Sequence, residues 1–367
     1  MARNNKRLLI VTQKVDRNDP VLGFFHRWLV EFSRHFESVI VICLAKGQTD
    51  LPTNVRVFSL GKESAPSGKR SLRRRLGYLF RFWHLIWRER SSYDSVFVHM
   101  NQIYVILGGL FWKLWNKKIG LWYTHRSAPI SLKIAEKMAE EIFTAAPESF
   151  TVKTDKLHIL GHGIDVERFA GIGGDLGRGS EKSLDGTLRI LSVGRITRIK
   201  NLDILVGAVG LLKERGVLVR SEIIGPEVTD EDRLCKKGLV GLIDRLGLKD
   251  EVAILPAVSN EQIAEYYRHS DFSLNLTPTG GIDKSVLESM AAGCIPLVSN
   301  EAFRLVFGSY APRLVFGFRD QLDLADKIRN LRGSPDLPAV RSFLLNKVRS
   351  DFGVEKIVGR IVEIMVR

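Results

Sequence analysis

The chain has 367 residues, 45% hydrophobic and 26% charged side chains, and a formal net charge of +14. That length suggests about two domains, and the composition excludes disorder, a collagen-like repeat or a coiled coil as the main architecture. Three cysteines (Cys43, Cys235 and Cys294), with no CxxC and no His at ligand spacing, exclude a disulfide framework or a structural zinc site and suit a reducing compartment.

The opening MARNNKRLLIVTQK has too few consecutive apolar residues for a signal peptide. From there, short apolar runs rich in β-branched and aromatic residues alternate with segments of helical period. Strands are expected at 7–13, 38–44, 55–60, 95–100, 119–125, 141–146 and 156–161, with helices at 24–36, 71–90, 104–116 and 131–139. The near-continuous apolar character of the strands fits a parallel sheet covered on both faces. The longest uncharged run, 95–112, carries His99, Asn101 and Gln102 and splits into a strand and a short helix, which falls below a membrane span. A soluble or membrane-surface protein of the cytoplasm is therefore expected.

Residues 170–187, AGIGGDLGRGSEKSLDGT, are rich in Gly and Ser and read as a linker. After it the alternation restarts. Strands are expected at 188–194, 221–225, 252–258, 272–278 and 295–299. Helices are expected at 201–216, 229–247, 259–269, 285–292, 321–332, 337–350 and 354–366. Two doubly wound α/β domains follow, one over 1–169 and one over 188–350, with a last helix in 351–367 placed to return toward the first domain.

Charge divides along the same line. Residues 1–180 hold 28 Lys and Arg against 16 Asp and Glu, a net of +12, whereas residues 181–367 have a net of +2. All six tryptophans lie in the first half. Much of the excess sits in 69–90, KRSLRRRLGYLFRFWHLIWRER, with eight basic residues and one acid. Arg74, Arg81 and Arg88 recur at seven, Arg70 lies four before Arg74, and Leu72, Leu76, Leu79, Phe80 and Trp83 follow helical spacing on another face. A basic amphipathic helix of this kind reads as an interfacial binder of anionic membrane. The competing reading packs its apolar face into its own domain and leaves the cations solvated. No zinc finger, helix-turn-helix or aromatic RNA-binding signature supports nucleic acid as a partner.

In the second half, polar residues gather at strand ends, where doubly wound sheets bind ligands. VGRITRIKN places Arg195 and Lys200 between a strand and a helix start, either as solvated loop cations or as a diphosphate clamp beside exposed N–H groups. TPTGGIDKSVLESMAAGCIPLVS follows a strand with Gly280 and Gly281, which allow close backbone approach to a ligand. Glu288, one turn into the next helix, suits ribose hydroxyls as an acceptor.

These two segments resemble the donor-binding half of retaining glycosyltransferases of family 4, and HILGHGIDVERF, IIGPE and EQIAEYYRHSDFSLNLTPTGG extend the resemblance along the chain. It implies the GT-B fold, two Rossmann-like domains facing across a cleft. It implies transfer from a nucleotide-diphospho-sugar with retention of configuration and no metal or other cofactor. Arg195 and Lys200 match the pair that holds the donor diphosphate. Glu288 matches the second Glu of the paired-glutamate motif, and Gly225 falls where a glycine-rich strand end is expected. The first Glu of that motif would stand at 280, which is Gly280. Asp283 stands in the same loop, either supplying the missing carboxylate or only capping the helix near Ser285, with Lys284 near the phosphates. In the first half, Gly23 matches the loop that approaches the donor phosphates and His125 the histidine facing the transferred sugar. His99 and Asn101 end another strand and are further candidates. With the basic Trp-rich half, the resemblance implies a glycan or glycolipid acceptor, lipid-linked, in surface-polysaccharide assembly at the inner face of a bacterial membrane. A sugar-nucleotide epimerase or phosphorylase of the same fold, and a non-catalytic nucleic-acid binder, are the alternatives.

Overall fold

The computed structural model describes residues 4–19, 21–64, 72–125, 127–170 and 186–367. The chain divides into two compact units, one of Met1–Gly163 with Val354–Arg367 and one of Ile164–Gly353.

In the first unit the elements run β1 (Asn4–Val15), α1 (Phe25–His35), β2 (Phe36–Lys46), β3 (Val55–Ser59), α2 (Leu72–Arg88), β4 (Ser95–His99), α3 (Ile103–Leu114), β5 (Lys118–Trp122), α4 (Ile130–Met138), β6 (Glu141–Thr144) and β7 (Leu157–Ile159). The strands form a parallel sheet ordered β3-β2-β1-β4-β5-β6-β7. Side chains alternate across it. Leu8 and Ile10 enter one core with Phe25, Trp28 and Phe32 of α1, while Leu9 and Val11 enter another with Phe82 and Ile86 of α2, Trp112 of α3 and Leu132 of α4. Both faces are therefore covered, which accounts for strands that read as unbroken apolar runs.

The second unit begins with α5 (Val166–Ala170) and continues β8 (Leu188–Val193), α6 (Leu202–Glu214), β9 (Val219–Ile224), α7 (Asp230–Arg245), β10 (Val252–Leu255), α8 (Asn260–Arg268), β11 (Phe272–Asn275), α9 (Lys284–Ala291), β12 (Ile295–Val298), α10 (Arg304–Phe307), α11 (Ala311–Leu314), α12 (Gln321–Arg332) and α13 (Leu337–Phe352). Its parallel sheet is ordered β10-β9-β8-β11-β12. The strand order reverses between β8 and β11, the position at which doubly wound sheets open a crevice at their carboxyl ends. Both units are thus Rossmann-like.

The last helix, α14 (Val354–Val366), belongs to the first unit. Its Ile357, Val358 and Ile361 share a core with α1. Gly120 of β5 makes room for it, since a Cβ there would stand 2.5 Å from the Met365 sulfur. The first domain ends earlier than its expected limit of 169. Phe169 of α5 packs edge-on to Tyr267 of α8 (6.1 Å between rings), and Arg268 donates to the carbonyls of Arg168 and Phe169. The second unit therefore starts at Ile164, and α5 belongs to it. Of the expected linker 170–187, residues 171–185 lie outside the described residues.

Candidate donor site

The sequence-predicted residues of the second half converge at the carboxyl ends of β8, β9 and β11. After β8, Gly194 has φ +146°, and the chain turns through Arg195 and a short 3-10 turn, Arg198–Lys200, into α6. Asn201 makes the junction in the left-handed region (φ 43°), which Asn tolerates better than most residues. Its buried amide donates to the carbonyls of Leu276 (2.9 Å) and Ile199 (3.1 Å), tying the Lys200 turn to the end of β11. Gly225 ends β9. A Cβ there would lie 1.9 Å from the Gly194 carbonyl oxygen, so its missing side chain accommodates the neighbouring strand end.

Each of the three cations here faces a carboxylate. Arg195 Nε donates to Asp232 Oδ2 at 2.7 Å and Nη2 to the Thr229 hydroxyl at 3.3 Å, at the capping box that opens α7. The Arg195 guanidinium, helped by the N–H groups of Val228 and Thr229, holds the Asp232 carboxyl well below the usual range. Lys200 Nζ lies 3.5 Å from Asp283 Oδ1, and Lys284 Nζ lies 3.0 Å from Oε1 of the buried Glu288, one helical turn on.

Asp283 occupies the N-cap position of α9, but its side chain accepts no helix N–H. Its carboxylate meets the Thr277 hydroxyl at 2.7 Å instead, and that hydroxyl also reaches Asn275 Oδ1 at 2.5 Å. Of the two roles left open for Asp283, the helix cap is thus not the one its side chain takes. The carboxylate is aimed back at the strand ends and Lys200.

Sequence reading missed the residues that hold the glycine loop. Asn300, buried just after β12, accepts from the Gly280 N–H (3.2 Å) and the Ala302 N–H (3.0 Å) and donates to the Gly281 carbonyl (2.9 Å). Ser299 donates to the Thr277 carbonyl at 2.9 Å, and the Thr279 hydroxyl accepts from the Glu301 N–H. The Gly280 N–H therefore has an internal partner and is not an open donor for a ligand. The signal was present as a polar SN pair ending an apolar strand, but its partner twenty residues away cannot be read from spacing.

In the first unit, His125 is exposed just beyond β5, edge-on to Tyr123 with ring centroids 5.4 Å apart. Gly23 is buried, and its N–H donates to the Asp19 carbonyl at 2.9 Å, so that donor too is engaged. His99 is a core residue. It stacks on Phe25 at 3.7 Å, its Nδ1 lies 3.1 Å from the Thr12 hydroxyl, and burial pushes its imidazole down to about 3. Asn101 Oδ1 accepts from the Ile103 N–H at the start of α3.

The basic helix α2 divides its expected membrane-facing residues. Arg74 and Arg81 lie on its exposed side, although Arg81 also reaches the Leu60 carbonyl at 2.5 Å. Trp83 is half-buried, with Nε1 donating to the Leu107 carbonyl at 2.9 Å. Arg88 is turned onto its own unit, with Nε 2.9 Å from Glu89 and the guanidinium 4.9 Å above the Phe58 ring. Trp83 and Arg88 thus make contacts within the unit, although the Arg88 side chain also stays 44% exposed. Arg70 lies outside the described residues.

Elsewhere, a cavity of about 610 Å³ opens at the amino ends of β8, β9 and β10, between side chains that include Arg189, Arg220, Glu222, Lys249 and Glu265. It is at the opposite end of the sheet from Lys200 and Asp283, and its mixed charges point to no single ligand. Among the described residues, no three His, Cys, Asp or Glu side chains gather as a metal-holding group, and no helix is long and apolar enough to cross a membrane.

Two Rossmann-like units with polar strand ends are the architecture of GT-B glycosyltransferases, and the comparisons agree. Residues 178–340 match the family model for glycosyl transferases group 1. The chain is 28% identical over 191 residues to a D-inositol 3-phosphate glycosyltransferase of Streptomyces scabiei, covering 50% of this chain and 43% of that one. It is 26% identical over 157 residues to the mannosylfructose-phosphate synthase of Agrobacterium fabrum (41% and 34% covered). The chain spans less than half the length of these curated relatives. Among solved structures, Anabaena Alr3699/HepE in complex with UDP-glucose is similar at TM-score 0.75 and 14% identity, over 99% of this chain and 100% of that one. The sucrose-phosphate synthase of Thermosynechococcus elongatus is similar at TM-score 0.75 and 14% identity, over 98% of each chain. The fold is GT-B.

Proposed function

We propose that the chain is a glycosyltransferase that takes a sugar from a nucleotide-diphospho-sugar. The observation that carries this reading is the set Arg195, Lys200, Asp283, Lys284 and Glu288 at the carboxyl ends of one sheet, inside the stretch that matches the family model. Arg195 and Lys200 exchange their carboxylate partners for the donor diphosphate and stabilise the charge that develops as it leaves. Glu288 accepts from the ribose hydroxyls. Asp283, released from Lys200, accepts from a hydroxyl of the transferred sugar, in the role that Gly280 cannot fill. In the family 4 manner, the anomeric carbon–phosphate oxygen bond breaks and the acceptor oxygen bonds on the same face. Its proton passes to the departing phosphate oxygen, with no resident metal or cofactor.

The acceptor we assign is a lipid-linked glycan or glycolipid in surface-polysaccharide assembly, met at the cytoplasmic face of a bacterial membrane. The basic, tryptophan-rich first unit supports that choice. A second reading, a small phosphorylated acceptor, is favoured by relatives named for D-inositol 3-phosphate and mannosylfructose phosphate. Labelled donor supplied with membrane extract or with sugar phosphates separates the two by product. A melt panel of nucleotides and nucleotide-sugars names the donor, and stabilisation by none of them would defeat the proposal.

A further inference from the structure

We infer that the outer surface of α2, α3 and α4 in the first unit is one continuous docking face for an anionic lipid bilayer. This deepens the reading of a membrane-borne acceptor and rests on it for its setting, while the geometry stands apart from the donor chemistry.

Of the 21 exposed large apolar side chains among the described residues, ten belong to these three helices. Leu72, Leu76 and Phe80 follow one another at four-residue spacing on α2 and are 70%, 44% and 63% exposed, while Leu110 and Leu114 on α3 are 63% and 71% exposed. Trp83 joins the two stripes. Its ring lies 6.0 Å from Phe80 and 6.4 Å from Phe111, and Phe111 lies 5.8 Å from Trp115. A half-buried tryptophan thus supports the surface from beneath, which is a different part from the outward one expected of it.

Charge runs the same way. The three helices carry eight Lys and Arg and one Glu, a net of +7, and α2 has five arginines with no acid. The opposite helix layer of the same sheet differs on both counts. α1 and α14 present none of the exposed large apolar side chains, and their acids and bases nearly balance. Within that layer Arg27 pairs with Glu31 and Glu355.

Apolar side chains framed by cations suit the boundary between acyl chains and anionic headgroups. A second copy docked by two-fold symmetry would set this face against itself and bring the cations together, which is unfavourable. The bilayer is therefore the occupant.

The test is flotation of the full chain with phosphatidylcholine vesicles, with and without phosphatidylglycerol. Wild type should float with the anionic vesicles. The Phe80→Ser/Leu110→Ser/Leu114→Ser triple variant should lose at least tenfold in binding, and Arg73→Gln/Arg75→Gln several-fold, with melting unchanged. Arg360→Gln, on the opposite layer, should bind as wild type. Brominated lipid should quench the emission of Trp87, and Trp87→Phe should abolish that part of the quenching. Wild type that stays behind, a triple variant that floats like wild type, or a triple variant that instead dissolves a dimer would overturn the inference. A nucleotide-sugar melt on the same samples reads the donor proposal separately. Loss of that shift with flotation intact defeats the chemistry and leaves the docking face standing.

Discussion

Cations serve two regions of this molecule in opposite ways. At the strand ends of the second unit, Arg195, Lys200 and Lys284 each have a carboxylate within 3.5 Å, so those three pairs carry no net charge. On α2 of the first unit, five arginines share a helix with no acid and with apolar side chains that remain exposed. Paired cations are held in place and can hand themselves to an incoming diphosphate at a defined position. A helix without acids makes a field, which selects a class of surface without fixing any atom. The cations of the chain thus make two different devices, and only the second contributes to its net charge of +14.

The largest expected effect breaks the first device. Arg195→Ala or Lys200→Ala should lower kcat by about 10²–10³-fold, the usual range for losing one preorganised donor to developing charge. Circular dichroism should show the fold retained, because Asp232 keeps the Val228 and Thr229 N–H groups and Asp283 keeps Thr277. Unchanged turnover in both variants would remove the diphosphate site. Next in size is salt. The screening length falls from about 10 Å at 0.1 M to about 3 Å at 1 M. Vesicle binding through α2 should drop at least tenfold over such a series, and the nucleotide-sugar melt shift should change far less. Equal losses would mean that the two regions do not differ as described.

A smaller effect sharpens the donor region. Asn300 touches no ligand in the proposed scheme but bonds Gly280, Gly281 and Ala302. Asn300→Ala should raise the donor KM several-fold more than it lowers kcat, and should cost about 1–3 kcal/mol of stability for the buried groups left unpaired. Asn300→Asp keeps the acceptor toward Gly280 and loses the donor toward Gly281, so it should fall between the two. Stability loss with an unmoved KM would reduce Asn300 to a structural residue.

Most of this fold was legible because its period is legible. Strands buried on both faces read as apolar runs, and amphipathic helices read as stripes, so nearly every element of both sheets was placed within a few residues. The first domain was extended to 169, past the start of α5, because the owner of that helix is decided by packing on Tyr267 and Arg268, a hundred residues away. At the site, residue type and strand-end position pointed to Arg195, Lys200 and Glu288, and the family resemblance pointed to Asp283. What spacing could not carry was direction. Asp283 at an N-cap position reads equally as a cap or as a site carboxylate until its side chain is seen on Thr277. Gly280 reads as an open donor until Asn300 is seen beneath it. His99 reads as a strand-end ligand until its ring is found on Phe25. Hydrogen bonds between loops depend on how two chain segments far apart in sequence come together, and a single sequence leaves that unwritten.

The smallest expected effect tests whether α2 is uniform. Arg88 shares the helix with Arg73 and Arg75, and a field made by simple counting would weight the three equally. The structure separates them, since Arg88 lies against Glu89 and over Phe58, while Arg56 also reaches Glu89 at 3.0 Å. Arg88→Gln should therefore leave anionic-vesicle binding within about twofold of wild type, because its charge is already answered by a carboxylate inside the unit. It should lower the melting temperature slightly, because Glu89 is buried and keeps only Arg56 as a close cation. Arg73→Gln should do the reverse, weakening flotation with no change in melting. Equal losses of flotation from both would mean that the membrane responds to total charge alone, and the distinction between paired and outward cations would then hold for the donor site but not for this helix.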